Sequence, residues 1–123
     1  MKVPKTEIVR LPILEVRFFR TETGTEPVRD WLKSLTATDR KAIGEEIKTV
    51  QFGWPLGMPL VRKVGHDLWE VRIRLEGKAA RVIFTEKEGL MVLLHGFIKK
   101  SNKIPKDDLE LSHHRLKELK SHL

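Results

Sequence analysis

The stretch LWEVRIRLEGKAARVIFTEKEGLMVLLHGFIKK, residues 68–100, decides the fold. Three runs of strand-favouring residues lie over 68–75, 79–85 and 90–98, and the linking EGK and EKEG are short enough for hairpins. A three-stranded antiparallel meander follows. In LWEVRIRL, alternation with a period of two sends Trp69, Val71, Ile73 and Leu75 to one face and Leu68, Glu70, Arg72 and Arg74 to the other. The apolar set belongs to the core, which leaves Arg72 and Arg74 side by side with Glu70 as an ionic partner. In ARVIFT, Val82 and Phe84 form the buried set and Arg81 takes the opposite phase. In LMVLLHGFI, His95 shares phase with Met91 and Leu93, a facing that one bulge inverts.

Upstream, ILEVRFFRT from Ile13 alternates imperfectly and reads as a first strand. ETGTE is a turn, and Pro27 suits the first position of a helix on which Val28, Trp31, Leu32 and Leu35 form one apolar face. A second helix runs through TATDRKAIGEEIKTVQFG, with Thr36 as N-cap, Asp39 three residues on, and a stripe of Ile43, Ile47 and Val50. The short connection predicts an antiparallel helical hairpin. GWPLGMPLVRKVGHD, dense in glycine and proline, reads as a loop. After Pro105 a closing helix carries Leu109, Leu116, Leu119 and Leu123.

The order β-α-α-β-β-β-α segregates helices from an antiparallel-dominated sheet, an α+β architecture with the helical hairpin packed on one face. The other face is then open to solvent or ligand. At 123 residues the chain suits a single domain over residues 13–123, and residues 1–12, with two prolines and no sustained period, read as a loosely ordered extension.

Composition narrows the classes of function. Hydrophobic residues make up 40% and charged residues 33%, as in a soluble globular protein, and there is no apolar run long enough for a membrane span and no signal sequence. A cytoplasmic location is the expectation. Lacking cysteine, the chain has no disulfide, no thiolate catalysis and no cysteine-based zinc site. Lys and Arg number 24 against 17 Asp and Glu, a net charge of +7, with a pI near 9.9. Polyanions are the natural partners.

The cations concentrate on the strands. Like charges on adjacent strands repel, a cost that a phosphate removes, because guanidinium forks present paired donors to its oxygens. Arg72, Arg74 and Arg81 are therefore candidate phosphate ligands, and His95, of the residue type that exchanges protons near neutrality, is a candidate general acid or base. Lys78, Lys99, Lys100 and Lys103 are candidate RNA- or phosphate-binding residues, the last three in a basic run that continues to Lys106. His66, His113, His114 and His122 have no metal-ligand spacing, and Trp31 and Trp69 fall on core phases.

FFRTETGTEPVRDWLKSL, GWPLGMPLVRKVG, LWEVRIR, ARVIF and LLHGFIKKSNKIPKDDLELSHHR together resemble the phage-derived HigB-like branch of the RelE/ParE toxin superfamily, over most of the chain from about residue 18 to 119. The resemblance implies the toxin of a type II toxin–antitoxin pair, a ribosome-dependent mRNA endonuclease that works without a cofactor or metal and is neutralised, in a hetero-oligomer, by a HigA-like helix-turn-helix antitoxin. It implies that the ribose 2′-OH attacks the adjacent phosphate, with Arg72, Arg74 and Arg81 on that phosphate and His95 or a lysine moving protons. The chain departs from the pattern in having no tyrosine, a catalytic residue near the last helix in several RelE-like toxins. The same basic face also suits a non-catalytic module that binds nucleic acid or antitoxin, and the ParE side of the superfamily offers DNA gyrase as a target.

Overall fold

The three expected strands of the meander form where alternation places them, and the turns close as their chemistry requires. The computed structural model describes residues 11–100 and 104–122; residues 1–10 of the expected N-terminal extension, and Lys103, lie outside them. The elements in chain order are β1 (Glu15–Phe18), α1 (Pro27–Ser34), α2 (Ala37–Gly53), β2 (Val61–Gly65), β3 (Leu68–Leu75), β4 (Lys78–Lys87), β5 (Leu90–Lys99) and α3 (Lys106–Ser121). Between β4 and β5, Glu88 and Gly89 both adopt positive φ, 51° and 83°, the pattern that a tight two-residue hairpin turn demands. Thr36 caps α2 by accepting from the Asp39 amide at 3.2 Å.

The sheet is mixed, in the order β1-β5-β4-β3-β2, with β1 running parallel to β5 and every other pair antiparallel. One expectation is corrected here. Glycine and proline crowd the approach to residues 61–65 and predict a loop, yet VRKVG is β2, with Val61 buried opposite Val71 and Arg62 opposite Glu70. The meander thus has four strands.

The two faces of the sheet are covered differently. Val71, Ile73, Val82, Phe84, Met91 and Leu93 pack on Val28 of α1 and on Ile43, Ile47 and Val50 of α2, the hairpin expected from the sequence. Trp31, Trp54 and Trp69 join this core, Trp54 edge-on to Trp69 at 5.4 Å between ring centroids. The opposite face is not open throughout. Leu68, Ile83, Val92, Leu94 and Phe97 are buried there with Leu116 of α3, so the closing helix roofs part of that face and leaves the rest to the cations. No helix among the described residues is long and apolar enough to cross a membrane.

Candidate phosphate-binding site

Strand register assembles the site. On the α3 side of the sheet, Arg62 of β2 pairs with Glu70 of β3, and Glu70 with Ile83 of β4, which in turn pairs with His95 of β5. The next row runs Arg72, Arg81, Phe97, and the one after it Arg74, Ala79, Lys99. A bulge sets the last member of each row. Phe84 faces Leu93 but Ile83 faces His95, so Leu94 is the extra residue and the phase of β5 inverts beyond it. Phe97 consequently joins Leu94 on the α3 side, while Gly96 turns to Trp31. The expected phase of His95, shared with Met91 and Leu93, is corrected by the same bulge, which also brings Lys99 onto the face that holds the arginines.

These rows line a small cleft of Arg62, Glu70, Arg72, Arg81, Phe97, Lys99 and Ile104, with room for roughly one water-sized group. Glu70 is its fulcrum, with 0% of its surface exposed. Arg62 Nε lies 2.9 Å from its carboxylate, and Arg72 Nε and Arg81 Nε each lie 3.9 Å away. Four cations surround one carboxylate, so an excess of positive charge faces the opening.

The ion pairs leave hydrogen-bonding capacity unused. Both Glu70 oxygens, Arg62 Nε and Arg72 Nε are buried without a hydrogen-bond partner among the described residues, since the charges sit close but out of line. Arg81, 6% exposed, uses one guanidinium nitrogen on the Ala80 carbonyl at 2.8 Å. Burial pushes the Arg81 guanidinium below the usual arginine value; Glu70 opposes this, while Arg72 and Arg62 add to it. The Lys99 ammonium is likewise held below the ordinary lysine value, first by desolvation and then by repulsion from Arg81 and Arg72. Such a cluster can bind an oxyanion, stabilise added negative charge on it, and release a proton from lysine.

The other candidates distribute as follows. Arg72 and Arg81 line both the cleft and a wider adjoining groove of about 780 Å³, which Arg74 also lines. Lys78 is tied to Asp39 at the start of α2, 2.9 Å away, and Lys100 is exposed just past β5. His95 is not among the residues lining the cleft. Its Nε2 lies 2.6 Å from Asp108 and its Nδ1 3.3 Å from an Arg115 nitrogen that also donates to the Leu94 carbonyl. With Arg115 donating to Nδ1, the Nε2 hydrogen points at Asp108. Both ring nitrogens are thus engaged with α3, and Phe97 stacks on the ring at 5.5 Å. Among the described residues no group of His, Asp and Glu is placed to hold a metal ion.

Arg62 escaped the sequence reading because its strand did. Its signal was present: VRK alternates, and a strand pairing ahead of LWEVRIR sets a cation opposite Glu70. In comparisons with known proteins, the family model described as phage-derived protein Gp49-like (DUF891) matches residues 30–117. That span runs from α1 through the whole meander into α3. No curated protein matches the chain.

Proposed function

The chain belongs to the phage-derived Gp49-like family, a family associated with toxin–antitoxin toxins, and from that premise we propose that it is a ribosome-dependent mRNA endonuclease, the toxin of such a pair. The observation that carries this reading is the convergence of Arg62, Arg72, Arg81 and Lys99 on the buried Glu70 carboxylate. A ribonucleic phosphodiester supplies what that cluster lacks: an anion with oxygens for the guanidinium donors and a neighbouring hydroxyl for the carboxylate.

In this mechanism the 2′ oxygen forms a bond to phosphorus while the bond from phosphorus to the 5′ oxygen breaks, leaving a 2′,3′-cyclic phosphate and a 5′-hydroxyl. Glu70, whose oxygens have no hydrogen-bond partner among the described residues, takes the proton from the 2′-hydroxyl. Arg72 and Arg81 hold the non-bridging oxygens and stabilise the charge that builds on the phosphorane. Lys99 gives its proton to the departing 5′ oxygen, a role helped by desolvation and by cationic neighbours that make it a stronger acid than free lysine. His95 then serves as the tie between β5 and α3, and proton transfer falls to a lysine, the other residue type expected from a chain without tyrosine.

Induction in cells followed by mapping of RNA 5′ ends tests the reading. Translated messages acquire internal 5′-hydroxyl ends and growth stops. Arg81→Ala removes one donor to the phosphorane and slows cleavage by about 10²–10³-fold, relieving the arrest. Co-expression of a helix-turn-helix antitoxin restores growth. Growth arrest with intact messages and broken DNA would overturn the assignment in favour of gyrase poisoning.

A further inference from the structure

Beside the phosphate cleft, β3 outlasts its outer neighbour: pairing with β2 ends at Val71, where the Arg72 amide donates to the Leu60 carbonyl at 2.8 Å. The groove opened there has walls of opposite sign. Arg72, Arg74 and Arg81 line it from the sheet, and Glu45 and Glu46 line it from α2. Its volume of about 780 Å³ falls in the usual range for small-molecule sites, roughly 300–1,000 Å³.

Opposite charges in one groove close into ion pairs unless the scaffold holds them apart. Here it does, because α2 is anchored by Ile43, Ile47 and Val50, fully or almost fully buried, and this end of β3 by its ladder with β4. Neither glutamate has an ion-pair partner among the described residues, and neither does Arg74. We propose that this groove is a nucleobase-reading subsite in which the carboxylate wall of Glu45 and Glu46 accepts hydrogen bonds from the donor edge of guanine. The proposal rests on the reading of the cleft as an RNA phosphate site.

Charge sorts the parts of a nucleotide between the two places. Carboxylates repel the phosphodiester backbone, so the backbone stays at the arginine cleft and the uncharged base turns toward α2. Among the bases, guanine alone offers adjacent imino and amino donors on its pairing edge, and two such donors match the two oxygens of one carboxylate. Adenine and cytosine each offer one amino group beside a repelling ring acceptor, and uracil sets its imino hydrogen between two carbonyls. Arg74, exposed and without an ion-pair partner among the described residues, supplies a planar cation to stack on the base.

Two measurements separate this proposal from the one it rests on. The first is fluorescence anisotropy with labelled hexanucleotides carrying one guanine or one inosine, which lacks the amino group. The parent prefers guanine, and the Glu45→Gln, Glu46→Gln double variant, whose amides set a donor where an oxygen was, lowers the guanine-to-inosine affinity ratio by about tenfold. The second is the map of cut sites, in which the parent's bias for guanine beside the cut is lost in the double variant. Equal affinity of the parent for the two oligonucleotides, or an unchanged ratio in the double variant, overturns the subsite even if messages are cut. A glutamate-dependent guanine preference with intact messages leaves the subsite standing and removes the endonuclease.

Discussion

Arg72 and Arg81 stand directly opposite each other in the β3–β4 ladder, and the Nε of each lies 3.9 Å from the same buried carboxylate, Glu70. Two guanidiniums in register on adjacent strands repel, and a sheet under no other demand would mix signs there. Glu70 offsets the repulsion from within the sheet, and Arg62 shares the same carboxylate from β2. The remaining imbalance faces the cleft mouth, where an oxyanion relieves it. Fold and site are thus coupled: the carboxylate that holds the strands' charges together is the one assigned to take the proton.

That coupling predicts a double effect of Glu70→Gln. The amide keeps the shape but removes the only negative charge among the described residues lining the cleft, leaving partly buried cations unpaired, a change that costs about 3 kcal/mol and lowers the melting temperature by about 10 °C. Cleavage by the protein that remains folded falls by at least ~10²-fold through loss of the base. Thermal melts and single-turnover cleavage of ribosome-bound message check the two parts; a variant as stable and as active as the parent would sink both.

Lys99 gives a pH dependence of definite sign. Its pKa is lowered in the folded protein, first by desolvation and then by Arg81 and Arg72, so it loses its proton below the usual lysine value of 10.5. The protonated form is the one that serves the leaving oxygen, so the cleavage rate declines as pH rises through the lowered pKa. Lys99→Arg keeps the positive charge but cannot release a proton in this range, so the variant is slower at every pH and its profile has no alkaline limb. A pH–rate profile of both proteins tests this, and a Lys99→Arg profile that keeps the parent's limb would refute the role. For stability the sign is opposite: between the folded and unfolded pKa values the unfolded chain binds more protons, and Lys99 makes folding more favourable as pH rises.

The parts of this arrangement readable from sequence are those governed by period and by turn chemistry. Alternation in LWEVRIRL placed Val71 and Ile73 in the helical core and Arg72 on the other face, and Thr36 announced the start of α2 through its spacing to Asp39. Two features escaped because nothing local encodes them. β2 is five residues flanked by glycine and proline, and its strand character comes from pairing with β3. The bulge at Leu94 is a matter of register between two long strands; period alone carried His95 to the wrong face, and only the pairing shows it beside Asp108. Lys99 reached the cleft by the same inversion.

The position of His95 leads to a prediction that separates a structural role from a catalytic one. Its ring is 14% exposed and its link to Asp108 spans 2.6 Å from β5 to α3. Asp108→Asn weakens a partly buried charge-assisted contact and costs about 1–2 kcal/mol, seen as a lower melting temperature. His95→Asn has a similar effect on stability while its cleavage rate, measured per folded molecule below the melting range, stays within about twofold of the parent, because no proton passes through the ring. A loss of cleavage in His95→Asn as large as that in Arg81→Ala would return the acid or base to His95.

Gly96 offers a test of the architecture that does not depend on the chemistry. It sits in the part of β5 turned by the bulge toward α1, and a Cβ added there would overlap two ring carbons of Trp31. That ring is partly buried and packs against the core, so room for a methyl group comes only from a shift of the ring or of α1. Gly96→Ala therefore displaces the Trp31 ring or α1 and destabilises the protein by about 3 kcal/mol, read as a drop in melting temperature. Gly57→Ala, where a Cβ meets no atom within 4 Å, leaves the melting temperature nearly unchanged. If Gly96→Ala were as stable as Gly57→Ala, the β5 phase set by the bulge would be wrong, and with it the placement of Lys99 in the cleft.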